Sequence, residues 1–304
     1  MVKIVMPAGV SAIFEPFIYP DPFISGARGA GFGVENAVEV EVSVSPSDKL
    51  SVVNYINGEK VEGGIGHVSV KTFFEIMGIE PKYSVEIRQK INVPIGAGFG
   101  TSAGSSLGVI LALSRALGVP LTIVEAGDIA HVSEIRARTG LGTVSGLVSL
   151  GAIVVISRHG PPSLCLVDHI IMDGDEIYVL LASRGKKETS LALKDVSLLD
   201  RASKYGKVIM DKLIKEPTIE NFFCLARVFA ERTGLAAKQI MRLIDEVGEY
   251  AIGAIQAMIG DSIAVVSYRE NVDTIKNIIM EILKTDVYVG SLVRSGLWIH
   301  PNTP

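Results

Sequence analysis

Cysteine and tryptophan are nearly absent from this 304-residue chain, which has two cysteines, Cys165 and Cys224, and one tryptophan. Two thiols cannot build a disulfide framework, and neither lies in a Cys-x-x-Cys pair or beside a histidine at zinc-ligand spacing. The sequence therefore predicts two reduced, buried thiols and no structural zinc. Neither sign of charge dominates: 29 Lys and Arg against 33 Asp and Glu leave a net charge of −4. Nothing in that balance attracts a nucleic acid or an anionic membrane, so any anionic ligand must be caught locally. No apolar run approaches the roughly 18 to 20 residues of a spanning helix. The start of the chain lacks the basic stretch and long apolar segment of a signal peptide. There is no GxxxxGK[ST], because Gly185-Lys186-Lys187 lacks both the earlier Gly and the following Ser or Thr, which disfavours a P-loop nucleotidase. What is present is 48% hydrophobic residues against 20% charged, the balance of a chain with large cores. A soluble cytoplasmic protein is expected, and the apolar surplus makes a homodimer reasonable.

Alternation places a strand at residues 37–44, where Val38, Val40, Val42 and Val44 alternate with Glu39, Glu41 and Ser43. Another strand is expected at 2–6, and the Pro- and Gly-rich stretch 7–33 between them reads as a long binding loop. Strands at 51–56 and 84–89 flank a helix at 68–77. Helices follow at 102–117 and 122–138, with Thr122 as N-cap of the second. Strands are predicted at 152–156 and 177–181, mostly helix from 189 to 258, then a strand at 262–267, a helix at 272–283 and an edge strand at 287–289. The fold class is α+β, divided into a first domain at 1–165 and a second at 166–304.

The most informative segment is Pro94-Ile95-Gly96-Ala97-Gly98-Phe99-Gly100-Thr101-Ser102-Ala103-Gly104-Ser105-Ser106, between a strand and a helix. Glycines let backbone N–H groups approach a ligand, and a helix N-terminus adds unpaired donors and a positive dipole end. This is an anion site rich in hydroxyls. Gly98, Gly100 and Ala103 also satisfy the dinucleotide pattern GxGxx[GA]. That pattern requires a following strand with an acidic end, whereas here a second helix bearing Glu125 and Asp128 comes next.

The same segment resembles the PxxxGLGSSAA motif of the GHMP kinases, with Phe99 for Leu and Thr101 for the first Ser. Within that superfamily the chain is most similar to the archaeal pantoate kinases. The further blocks that carry this are Pro7-Ala8-Gly9-Val10-Ser11-Ala12-Ile13-Phe14-Glu15, Gly26-Ala27-Arg28-Gly29-Ala30-Gly31-Phe32, Ala130-His131-Val132-Ser133-Glu134, Thr139-Gly140-Leu141-Gly142, Thr233-Gly234-Leu235 and Ala257-Met258-Ile259-Gly260-Asp261. The resemblance implies a two-domain GHMP kinase fold, with an N-terminal α+β nucleotide-binding domain and a ferredoxin-like C-terminal domain. It further implies an ATP- and magnesium-dependent kinase that phosphorylates the primary hydroxyl of pantoate in archaeal coenzyme A biosynthesis. Residues Pro94, Gly96, Ala97, Gly98, Phe99, Gly100, Thr101, Ser102 and Ala103 would bind ATP, and Ser102 and Glu134 would hold magnesium. Helical spacing independently sets Glu134 on a face of small and apolar residues, Ile123, Gly127, Ala130 and Ala137, where a carboxylate takes a cation or pairs with Arg138 or His131.

Departures from the family pattern gather on the acceptor side. The catalytic position that usually holds Asp is Thr143, the first block reads Pro7-Ala8-Gly9 instead of Pro-Gly-His, and Val155 and Ile156 stand where a substrate-binding Arg is expected. Homoserine kinases lack that Asp too. Arg28 is the candidate for the acceptor's carboxylate, with Ser11, Glu15 and Arg158 as weaker candidates. Glu15 and Asp175 are candidates to replace the missing Asp. A GHMP kinase for mevalonate or a mevalonate phosphate, and a non-catalytic nucleotide-binding relative, are the alternatives.

Overall fold

A computed structural model describes residues 1–149, 151–174, 176–185, 195–257 and 261–294. Asp175, the Lys186-Lys187 pair, residues 258–260 and His300 lie outside the described residues. Strands β1 (Val2–Phe17) and β2 (Gly26–Pro46) form one long antiparallel hairpin, paired from Val2 opposite Val42 to Phe17 opposite Gly26 with register slips after Met6 and after Ser11. The loop expected at 7–33 is therefore mostly sheet. The register slips at Pro7, between Met6 and Ala8, which accommodates a residue without an N–H donor. The glycines that suggested a loop serve close backbone approach instead: a Cβ at Gly31 would lie 2.2 Å from the Val10 carbonyl oxygen, and one at Gly29 2.5 Å from that of Ile13.

Strands β3 (Ser51–Ile56), β4 (Glu59–Val61), β5 (Tyr83–Ile91), β6 (Ile153–Arg158) and β7 (Leu166–Ile170) complete a sheet ordered β4-β3-β5-β2-β6-β7, with β1 along β2. Helix α1 (Gly64–Met77) carries the chain across to make β3 and β5 parallel neighbours. Residues 29–32 of β2 pair with β6 and residues 38–46 with β5, and Asn36, at φ +52°, marks the change. Helices α2 (Thr101–Leu117), α3 (Ile123–Ala137) and the short α4 (Thr143–Val148) accompany this sheet. Every residue of α2 from Ala103 to Ser114 is buried. Small residues let it sit that close: a Cβ on Gly104 would meet the Pro7 oxygen at 2.6 Å, and one on Gly108 the Val40 side chain at 2.7 Å. Thr122 caps α3 as expected, its hydroxyl accepting from the Glu125 N–H at 3.2 Å while the Glu125 carboxylate accepts from the Thr122 N–H at 2.7 Å.

A second, antiparallel sheet is built from β8 (Ile177–Ser183), β9 (Gly253–Gln256), β10 (Ser262–Tyr268) and β11 (Tyr288–Ser291) in the order β11-β8-β10-β9. The mostly helical stretch expected from 189 to 258 holds α5 (Val196–Lys215), α6 (Ile219–Thr233) and α7 (Lys238–Val247), and ends in the unforeseen strand β9. Helix α8 (Val272–Leu283) links β10 to β11. This is the βαββαβ connectivity of a ferredoxin-like domain, with three helices in the first crossover. Because β7 pairs with β6, the change of sheet falls between Ile170 and Ile177 and not at 165.

Alternation on β8 and β10 divides the second domain's apolar residues. Val179, Leu181, Ala264 and Val266 join the large core shared with the first sheet, whereas Leu180, Ala182, Ile263 and Val265 face α7 and α8. Edge-on aromatic pairs, Phe14 with Phe229 at 5.4 Å and Phe32 with Phe222 at 6.4 Å, tie the hairpin to α6. Helix α5 reaches β1 through Gly206, where a Cβ would lie 2.3 Å from the Phe14 oxygen. The cysteines depart from expectation: Cys165 is half-buried and Cys224 exposed.

Candidate active site

Between β5 and α2 the backbone of Gly96, Gly98 and Gly100 takes φ values of +72°, +80° and +60°, which side-chain-bearing residues avoid. Gly100 is the N-cap of α2, with no side-chain cap on the helix and no acidic residue in its first turn. The opening N–H groups and the positive end of the 17-residue α2 are thus left for an external anion.

Ser102, in that first turn, donates to Glu134 Oε2 at 3.2 Å. Thr139 donates to the other carboxylate oxygen. Glu134 is only 2% exposed, and burial outweighs these two hydroxyl bonds to push its carboxyl up to about 7. Local sequence explains the enclosure. Arg138 ends α3 in the left-handed region at φ +56°, reversing the chain so that Thr139 and Gly140 return over Glu134. A Cβ at Gly140 would sit 2.3 Å from Glu134 Oε2. Gly140→Ala is therefore expected to displace the carboxylate and lower kcat by about tenfold or more, with nucleotide affinity less affected; steady-state kinetics check this, and an unchanged kcat counts against the arrangement. Neither His131 nor Arg138 pairs with Glu134: His131 Nε2 bonds the Ser25 carbonyl at 2.8 Å.

A cavity of about 500 Å³ opens beside these groups. Its lining takes Gly96, Gly98, Phe99, Gly100, Thr101 and Ser102 from the glycine loop and α2, Ser11, Ala27 and Arg28 from the hairpin, Thr143 from α4, and Leu198 and Leu235 from α5 and the segment after α6. Arg28 is the one charged side chain among the described lining residues. Its Nη1 donates to Glu15 Oε2 at 3.0 Å and its Nη2 to Asp211 Oδ1 at 2.7 Å. Glu15 stands directly opposite Arg28 in the hairpin. Burial raises the Glu15 carboxyl and Arg28 partly reverses this.

The structure brings Ser102, Thr143, Ser11 and Arg28 to one cavity, with Glu134 behind Ser102. Pro94, Ala97 and Ala103 do not line it, and Ala97, Phe99 and Ala103 are buried packing residues. Arg158 is exposed, bonds the Leu164 carbonyl and does not line the cavity. Glu15 is engaged by Arg28, and Asp175, the other candidate to replace the missing Asp, lies outside the described residues. Two partners were not foreseen. Thr139 lay inside a recognised block with no role attached, and Asp211, 183 residues from Arg28, gives no local signal at all. No cluster of three metal-ligating His, Cys, Asp or Glu occurs among the described residues, and no described helix is long and apolar enough to cross a membrane.

Residues 65–153 match the family of GHMP kinases N terminal domains. The pantoate kinase of Thermococcus kodakarensis is 30% identical over 251 residues, 81% of this chain and 81% of that protein. That of Methanocaldococcus jannaschii is 27% identical over 264 residues, 87% of this chain and 92% of that protein. Among solved structures, a phosphotransferase related to the CoA biosynthesis pathway superposes with a TM-score of 0.85 at 24% identity, covering 100% of this chain and 99% of that one. Homoserine kinase from Cytophaga hutchinsonii follows at 0.71 and 18%, covering 98% and 97%. The two structural likenesses show the fold, and the sequence relatives show the family: the chain belongs to the pantoate kinase family of the GHMP kinases.

Proposed function

We propose that this protein transfers the terminal phosphoryl group of ATP to the primary hydroxyl of pantoate. The observation that carries this is the single cavity joining an uncapped helix N-terminus and its glycine loop to one cationic side chain in an otherwise uncharged wall. The helix N-terminus and its loop suit polyphosphate; the guanidinium suits a small carboxylate. The curated relatives bear the name of that activity.

A divalent cation fits the site on the chemistry of its donors. Glu134 is a buried carboxylate with only hydroxyl partners, and a hard cation that keeps waters and takes one or two protein oxygens suits Ser102 and Glu134. Magnesium there would neutralise charge on the terminal phosphates. The backbone at residues 96–100 and the first turn of α2 bind and orient those phosphates. Arg28 anchors the acceptor's carboxylate and fixes its hydroxyl relative to the phosphorus. The hydroxyl oxygen forms the new bond to phosphorus, the bridging bond to ADP breaks with its electron pair leaving on ADP, and the hydroxyl proton is lost to solvent or a phosphate oxygen. Leu198, Leu235 and Ile156 keep bulk water from competing.

Thr143 cannot act as a base near neutral pH, so transfer rests on positioning and charge neutralisation. Thr143→Ala is accordingly expected to lower kcat by less than about tenfold, below the range typical of losing a general base. A larger loss in steady-state assays would assign Thr143 a chemical role.

The reading is tested by ADP release with ATP and magnesium against pantoate, mevalonate, mevalonate 3-phosphate and homoserine, with Ser102→Ala as control. Pantoate-dependent turnover that the substitution suppresses supports it. Turnover on another acceptor alone replaces pantoate, and ATP binding without turnover on any acceptor indicates a non-catalytic relative.

A further inference from the structure

We propose that Asp211 occupies the place of the acceptor's carboxylate on Arg28 and leaves when the acceptor binds, which makes it a residue that sets acceptor affinity. The inference rests on the assignment of Arg28 to that carboxylate.

The two carboxylates on Arg28 are not equivalent. Glu15 is its cross-strand neighbour in β1, with a side chain 8% exposed, held in place by the sheet. Asp211 lies on α5, with a side chain 56% exposed, and is free to swing into solvent. Their use of the guanidinium differs as well. Nη2 and Nε share one edge of the planar group, the edge a carboxylate grips with both oxygens. Asp211 bonds Nη2 through one oxygen and leaves the buried Nε with no partner. A buried N–H without an acceptor is unfavourable, and the position points to a ligand. Once Asp211 has left that edge, a carboxylate from the cavity, whose wall includes Arg28, can take Nη2 and Nε together and make one bond more than Asp211 makes.

Charge favours exchange over addition. Arg28 with Glu15 and Asp211 carries one surplus negative charge, and a third carboxylate would double it, whereas a swap leaves it unchanged. Lys207, one turn before Asp211 on α5, also acts on Glu15 and stays on the solvent side. Glu15 is thus a positioning residue and Asp211 a competitor. The contact also joins the two halves of the molecule, since α5 rests on β1 through Gly206, so exchange at Arg28 releases one tie between them.

The test is the KM for pantoate and for the corresponding primary amide in wild type, Asp211→Ala, Glu15→Gln and Arg28→Lys. Asp211 is exposed and Ala suits a helix, so the variant is expected to fold. Asp211→Ala is expected to lower the pantoate KM about fivefold and leave the amide KM where it is. Arg28→Lys and Glu15→Gln are expected to raise the pantoate KM. An unchanged or raised pantoate KM in Asp211→Ala, with Arg28→Lys impaired, overturns the exchange and keeps Arg28 as the anchor. A gain in Asp211→Ala that is equal for acid and amide overturns it too, by assigning the effect to packing. A wild-type KM in Arg28→Lys removes the underlying assignment.

Discussion

Replacing Glu134 by Gln is expected to lower kcat about a thousandfold and at the same time to stabilise the protein when no divalent cation is present. Both effects come from one fact: a carboxylate 2% exposed has only two hydroxyl partners. Its carboxyl is pushed from 4.5 up to about 7, which corresponds to a cost on the order of 3 kcal/mol for ionising it inside the fold. The sign follows directly. Between pH 4.5 and about 7 the unfolded chain gives up this proton while the folded chain keeps it. The unfolded state therefore binds fewer protons, and this group's contribution to stability falls as pH rises through that window and is flat above it. Gln has no such proton, and its amide can accept from one hydroxyl and donate to the other. In EDTA at pH 8 the Glu134→Gln protein should melt a few degrees above wild type, the difference closing toward pH 5. A variant less stable than wild type at pH 8 would mean that the carboxylate is satisfied without a cation.

Gly100→Ala is expected to destroy nucleotide binding and to destabilise the fold by about 3 kcal/mol or more. Two penalties coincide there: φ is +60°, and a Cβ would lie 2.1 Å from the Gly9 carbonyl oxygen. That neighbour is backbone of β1 and cannot rotate away. Gly118, the C-cap of α2, separates the two penalties, because it has nearly the same φ, +66°, and nothing within 4 Å of an added Cβ. Gly118→Ala should cost only about 1 kcal/mol and leave kinetics untouched. Urea midpoints for the pair measure the contrast. Equal midpoints would show that the close approach of β1 to the glycine loop contributes nothing.

The local signals read from sequence were those that a single element carries. The alternation of Val38 to Val44, the N-cap at Thr122, and the helix at 272–283 all reappear in the structure, because side-chain period and capping depend on neighbours a few residues away. The hairpin through residues 7–33 was misread for the opposite reason. Glycine within a strand has the local signature of a loop, and only the partner strand, with its carbonyl 2.2 Å from the missing Cβ of Gly31, shows that it is needed for pairing. The site divides in the same way. Ser102 and Glu134 were legible from a motif and a helical face, and the geometry joins them. Arg28 was legible as a lone cation in a glycine turn, but its partner Asp211 sits on a helix of the second domain, and nothing near either residue encodes their meeting.

The most direct measurement is phosphorus NMR of the protein with ATP, magnesium and pantoate. The account predicts a new phosphomonoester resonance coupled to the methylene protons of the acceptor's primary alcohol, growing in step with ADP and missing with Glu134→Gln. Growth of inorganic phosphate alone, or an ester resonance undiminished in Glu134→Gln, would contradict it.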